Sequence, residues 1–141
     1  MASKGQQNGM RAVFLVAAKM VNHGFIVSPT SRNAFGADLL VTDESCTESC
    51  SVQVKANGVP TNFWLLSEKS EQLSSPTHFY VFVNLARRGN DHEYYVVPSR
   101  VVKQGMLTET SRTTSRSVFR SFSREKAVKF KDAWDLASHT H

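Results

Sequence analysis

The run THFYVFVNLA, Thr77 to Ala86, is nearly all apolar and rich in aromatic and β-branched residues. A strand with one wet face alternates polar with apolar residues, and this run does not. It predicts a central strand covered on both sides. The rest of the chain must therefore supply a sheet around this strand and layers on its two faces.

The flanking elements follow from period and punctuation. NGMRAVFLVAAKMVNHGF predicts a first helix, with Asn8 as N-cap, Val13, Val16, Ala17, Met20 and Val21 at helical spacing, and Gly24 as the stop. Gly24 to Val27 begins a short strand ending at Pro29. TSRNAFG is a polar turn hinged on Gly36. ADLLVTD predicts a strand with Leu39 and Val41 on one face and Asp38, Leu40 and Thr42 on the other. ESCTES is a turn, and CSVQVKAN completes an antiparallel hairpin. FWLLSE is either a short strand or a helix start. EYYVVPS is a further strand ended by Pro98, and Ser99 is predicted to cap a short helix. LTETSRTTSRSVFRSFS has no clear period and reads as a loop or mobile segment. The last stretch, REKAVKFKDAWDLASHTH, predicts a helix anchored by Val128, Trp134 and Leu136. The expected fold class is α/β, a mixed central sheet flanked by helices, in a single domain over residues 1–141 with a basic segment at 108–131.

Composition narrows the function classes. A chain of 141 residues that is 40% hydrophobic and 10% aromatic can bury a core and is not of the disordered class. No window approaches about eighteen uninterrupted apolar residues, so no transmembrane helix is predicted. The start, MASKGQQNG, lacks the features of a signal peptide, and a cytoplasmic protein is expected. Cys46 and Cys50 are then plain thiols, because a zinc site needs about four ligands and no partner pair has that spacing.

The net charge of +5 is unevenly placed. Residues 112–131 hold Arg112, Arg116, Arg120, Arg124, Lys126, Lys129 and Lys131, whereas 36–71 holds six acids and two lysines. An acidic middle with a basic end suits a protein that handles a polyanion around a metal site, and equally a solvated helix face.

The stretch SVQVKANG carries the chemistry. Val52 and Val54 alternate with Gln53 and Lys55, so an amide and an ammonium share the polar face of a strand. Hairpin pairing can bring Asp38 beside them. One carboxylate, one amide oxygen and one ammonium would then meet in one cleft. Hard cations such as Mg²⁺ take carboxylate and amide oxygens, and a neighbouring lysine can orient or deprotonate water and steady a phosphoryl charge. A cross-strand charge pair without function gives the same pattern.

The order FGADLLVTD…SVQVKANG, preceded by a helix and a strand, resembles the PD-(D/E)XK nuclease superfamily, the restriction-endonuclease-like enzymes that include Holliday-junction resolvases. The resemblance spans about Gly9 to Asn57, and HFYVFVNL fits the family's core sheet. It implies a restriction-endonuclease-like core and hydrolysis of DNA phosphodiester bonds with Mg²⁺ or Mn²⁺. By position, Asp38 and Gln53 would be metal ligands, the backbone carbonyl of Val54 a further ligand, and Lys55 the catalytic lysine. This sequence departs from the family pattern at three places. Ala37 stands where proline is usual, and Gln53 where the triplet usually has an acid. Val13 stands where many members carry a helix glutamate.

Several further residues are candidates for DNA contact. Thr30, Ser31, Arg32 and Asn33 form a polar turn ahead of Asp38 that is either a phosphate contact or an ordinary turn. Arg87 and Arg88 are either phosphate contacts or a charged hairpin tip. Arg112, Arg116, Arg120 and Arg124 recur every fourth residue, which gives a basic stripe if helical and a basic arm if not. His23, His78 and His92 have no spacing that implies a metal or triad. The expected function is a metal-dependent endonuclease acting on DNA as a homodimer, without a membrane partner. The alternatives are a catalytically impaired DNA-binding or assembly module on the same fold, and a protein-interaction module.

Overall fold

A computed structural model describes residues 3–31, 36–110 and 118–136. The chain runs α1 (Lys4–Asn22), β1 (Ile26–Pro29), β2 (Leu39–Thr42), β3 (Ser49–Asn57), β4 (Phe63–Leu66), β5 (His78–Asn84), β6 (Glu93–Pro98), α2 (Ser99–Gly105), β7 (Leu107–Thr110), β8 (Val118–Ser123) and α3 (Arg124–Ala127). Short 3-10 turns lie at Glu68–Glu71 and Val128–Phe130.

Five strands form one mixed sheet in the order β1-β2-β3-β5-β6. The β1–β2 and β2–β3 pairs are antiparallel, as the hairpin predicts, and β3 runs parallel to β5. All seven residues of β5 are buried. One face packs Phe79, Val81 and Val83 with Val52 and Val54 against Ala12, Val16 and Met20 of α1. The other packs Tyr80 and Phe82 against Trp64, Tyr95, Val97 and Phe122. Phe82 stacks between Tyr80 and Phe122, with centroids 5.7 and 5.3 Å away, and the indole N–H of Trp64 donates to the Val83 carbonyl at 2.9 Å. The mixed α/β architecture is the expected one.

The layer on that second face is where sequence and structure part. β4, β8 and β7 form a separate three-stranded sheet. The stretch expected as a loop therefore supplies two strands. Its Thr, Val and Phe residues suit a pleated surface, but the strands bury few of them. Phe63, Leu65, Leu107 and Phe119 stay about half exposed on the outer face, which blurs the alternation.

Three end effects also differ. Helix α1 starts at Lys4, not Asn8, because Ser3 and Gln6 form a capping box: the Gln6 N–H donates to Ser3 Oγ at 3.2 Å and the Ser3 N–H to Gln6 Oε1 at 2.9 Å. Ser99 is the first residue of α2 and not its cap. Its buried hydroxyl donates to the Ser75 carbonyl and accepts from the Ser75 N–H, both at 2.9 Å. The C-terminal helix is only α3 with one 3-10 turn. Trp134 and Leu136 are buried as expected, but Val128 is half exposed.

Candidate functional site

Asp38 stands just before β2 and is pinned from both sides. Its N–H donates to the Val52 carbonyl at 2.8 Å, and its own carbonyl accepts the Thr30 N–H at 2.9 Å. Thr30 Oγ1 also donates to the Ala37 carbonyl at 2.6 Å. Two residues earlier, Gly36 has φ +70°, and a Cβ there would stand 2.2 Å from a methyl of Leu73. The positive φ favours glycine, and an added Cβ would have to displace that methyl. The Leu73 side chain thus packs against the turn that leads into Asp38.

The β2–β3 register pairs Leu39 with Val52, so Asp38 lies opposite Gln53. The Gln53 side-chain amide donates to Asp38 Oδ2 at 2.9 Å, and the Val54 N–H donates to the same oxygen at 2.8 Å. Lys55 follows two residues later on the face that carries Gln53. All three side chains are partly buried. Among the described residues Lys55 makes no hydrogen bond or ion pair. Burial pushes its ammonium below the ordinary lysine value, the Asp38 charge offsets part of this, and Lys69 adds to it. Lys69 belongs to the 3-10 turn whose neighbour Ser70 hydrogen-bonds Tyr80, the residue paired with Gln53. Sequence reasoning passed over Lys69. Nothing in its local pattern shows that the turn folds onto β3.

The donor set can be tested against a hard cation. Asp38 and the Gln53 oxygen supply two side-chain ligands. In an extended strand a residue's N–H and C=O lie along the same edge, so the Val54 carbonyl faces the Asp38 side. These are oxygen ligands of the type Mg²⁺ and Mn²⁺ take, and the set fits by type while carrying only one negative charge. Relocating the start of α1 does not add a second, since Lys4–Asn22 contains no acid. Among the described residues no group of three or more His, Cys, Asp or Glu comes together.

Asp43 does not compensate. It lies five residues along an extended strand from Asp38, about 16 Å away. Its carboxylate is committed to the β2–β3 turn, accepting from the Thr47 hydroxyl at 2.7 Å, the Thr47 N–H at 2.8 Å and the Glu48 N–H at 3.2 Å. The Thr47 hydroxyl bond leads in holding its pKa down to about 2. Glu44 lies beside Gly24 at the end of α1. Cys46 and Cys50 are free thiols, and burial pushes Cys50 up to about 11.

Arg120 and Arg124 do not share one helix face. Arg120 lies on β8 and pairs with Glu71. Arg124 opens α3 and donates to the Tyr95 hydroxyl at 3.0 Å and to Glu93 at 2.9 Å. Both are engaged within the fold. Arg32, Asn33, Arg112 and Arg116 lie outside the described residues. Of the histidines, His23 bonds the Lys19 carbonyl and stacks on Trp134, His92 accepts the Ala86 N–H, and His78 is buried beside Ser51.

No protein-family profile matches the sequence, and no curated protein matches it. Among solved structures, the chain is similar to a bacterial homing endonuclease, I-Ssp6803I, at 17% identity and a TM-score of 0.61, over 97% of this chain and 92% of that one. It also matches Hjc, a Holliday junction resolvase from Archaeoglobus fulgidus, at 11% identity and a TM-score of 0.48, over 82% and 91%. The first likeness shows that the two chains share a fold, a mixed sheet flanked by helices as the sequence predicts.

Proposed function

We propose that this chain is a metal-dependent endonuclease that hydrolyses DNA phosphodiester bonds at Asp38, Gln53 and Lys55. The observation that carries the reading is the 2.9 Å contact between Gln53 and Asp38, with Lys55 on the same strand face. A fold shared with a homing endonuclease supports it. Asp38, the Gln53 oxygen and the Val54 carbonyl would hold Mg²⁺ or Mn²⁺. When bound, such an ion supplies Lewis-acid stabilisation of phosphoryl charge and a more acidic water. The protein's own groups divide the remaining work. Asp38 fixes the amide by taking its N–H, which leaves the amide oxygen as the free end. Lys55 can reach a phosphoryl oxygen with its ammonium; burial lowers its pKa, which makes more accessible the neutral amine that alone could take a proton from the attacking water.

The protein is read as cytoplasmic, and as a homodimer because cutting both strands of a duplex calls for two sites. Arg32, Asn33, Arg112 and Arg116 are proposed to touch the DNA backbone. Arg120 and Arg124 would reach it only by leaving their carboxylates.

One observation favours a second reading. Asp38 is already satisfied by two internal hydrogen bonds, and no group of three or more His, Cys, Asp or Glu comes together among the described residues. A DNA-binding or assembly module on the same fold would need no more than this. Incubating the protein with supercoiled and branched DNA, with Mg²⁺ or Mn²⁺, separates the two. Cleavage that disappears in Lys55→Ala supports the nuclease. Salt-sensitive binding without cleavage supports the module. Neither binding nor cleavage removes both.

A further inference from the structure

The polar row on β3 does not stop at Lys55. Asn57 is the next residue on that face, about 7 Å further along the strand. Its side-chain amide donates to Asn84 Oδ1 at 2.9 Å. Asn84 is 1% exposed, and its remaining bonds go to the backbone of Thr61 and to Glu93. It forms one wall of an open cavity of about 640 Å³, whose other walls include Asn62, Arg87, Arg88, Asp91 and Arg124.

The charges in this cavity are not equivalent. Glu93 also lines it, and is held by Arg124 at 2.9 Å and by Lys131 at 3.7 Å. These three charges are closed on themselves. Arg87 and Arg88 are exposed on the turn after β5, where Gly89 takes φ +74°. Among the described residues neither has a carboxylate within 4 Å. Two uncommitted guanidiniums thus face one remaining acid, Asp91, and Thr61 and Asn62 add neutral polar groups. Guanidinium groups beside neutral donors are the chemistry that recognises phosphate.

We infer that this cavity seats a second backbone phosphate of the strand bound at Lys55, with Arg87 and Arg88 as its cationic rim. One DNA strand carries a phosphate every 3.4 Å of rise. Because the backbone winds around that axis, neighbouring phosphates stand about 7 Å apart through space, so the step from Lys55 to Asn57 corresponds to about one phosphate. This inference rests on the nuclease reading and names the path the strand takes away from the site. It also relocates the basic surface next to the site, from Arg120 and Arg124 to Arg87 and Arg88.

The test is fluorescence anisotropy of a labelled DNA duplex with the full chain in EDTA, from 50 to 300 mM KCl. The variants are Arg87→Ala/Arg88→Ala, the charge-keeping Arg87→Lys/Arg88→Lys, and Arg100→Ala/Lys103→Ala on α2 as a control for net charge. Each lost phosphate contact flattens the plot of log affinity against log salt by about 0.9. The alanine pair is expected to flatten it by about 1 to 2, the lysine pair by less, and the control pair by little. Circular dichroism checks that the exposed substitutions leave the fold intact. Wild-type affinity and slope in the alanine pair would overturn the inference while leaving the nuclease reading in place. An equal fall in the control pair would overturn it too, by making the effect one of net charge. No DNA binding by the wild-type chain would remove both readings, and the same slope change with inorganic phosphate as competitor only would make the cavity a free-anion site.

Discussion

Gln53 gives its amide nitrogen to Asp38 at 2.9 Å, on the same carboxylate oxygen that accepts the Val54 N–H at 2.8 Å. Asp38 therefore does two things. It terminates the ladder between β2 and β3, and it is the sole carboxylate of the proposed metal site. Asp38→Ala strands the Val54 N–H and is expected to cost about 1–3 kcal/mol. Asp38→Asn keeps an acceptor for that N–H and is expected to cost less than about 1 kcal/mol, yet to lose cleavage as fully as the alanine. Urea melts beside a plasmid-nicking assay check this split. Equal stability loss in both variants would contradict the structural role given to the carboxylate.

Gln53→Glu tests the metal site without relying on activity. The substitution sets two carboxylates opposite each other and removes one hydrogen bond. In EDTA the variant should be less stable by about 1–2 kcal/mol. Mg²⁺ should then stabilise it more than the wild type, because binding the folded state alone raises stability by RT ln(1 + [L]/Kd). Melting curves over a Mg²⁺ series give the answer. If Mg²⁺ moves the Tm of neither protein, these residues do not hold a cation.

Lys55→Met removes a partly buried ammonium and keeps most of its apolar stem. The folded-state pKa of Lys55 lies below its ordinary 10.5, with burial as the main cause. The charged form is therefore disfavoured by folding at neutral pH, and that penalty is relieved as pH climbs from the folded value toward 10.5. Lys55→Met should be more stable than wild type near pH 7, by about 1 kcal/mol, with the advantage shrinking at alkaline pH. Cleavage should fall by about 10²-fold or more. A Tm at pH 7 below the wild-type value would contradict the buried-charge account.

What was legible in the sequence follows from the range of the forces involved. The β2–β3 hairpin joins residues close in sequence, and strict alternation fixes which side chains share a face, so Asp38, Gln53 and Lys55 could be placed together beforehand. The doubly covered β5 was equally plain, because burial on both faces writes itself as an unbroken apolar run. The three-stranded sheet was not, since its outer face leaves Phe63, Leu65 and Phe119 half exposed. The fate of the arginines was also hidden. Arg120 finds Glu71 across 49 residues, and Arg124 finds Glu93 across 31. A four-residue spacing suggests a helix stripe only while such distant partners are unknown.

His78 makes the fold acid-sensitive in a definable window. It is 6% exposed, its Nδ1 lies 2.7 Å from the Ser51 hydroxyl, and its Nε2 is buried with no partner among the described residues. Protonation would add a charge and a donor with nowhere to bond. Burial accordingly pushes its pKa below the ordinary 6.5. The unfolded chain then binds the proton first as pH falls, so the contribution is present above about pH 6.5 and is lost below it, with a slope of at most about 1.4 kcal/mol per pH unit. Asp43 titrates in a separate range, because its hydrogen-bonded carboxylate keeps its contribution until pH falls below 3.8 toward about 2. His92, also lowered by burial and by Arg11, is common to wild type and variant. Between pH 7 and 5 the Tm of His78→Phe should therefore fall less steeply than that of the wild type. Parallel curves would place the acid sensitivity elsewhere.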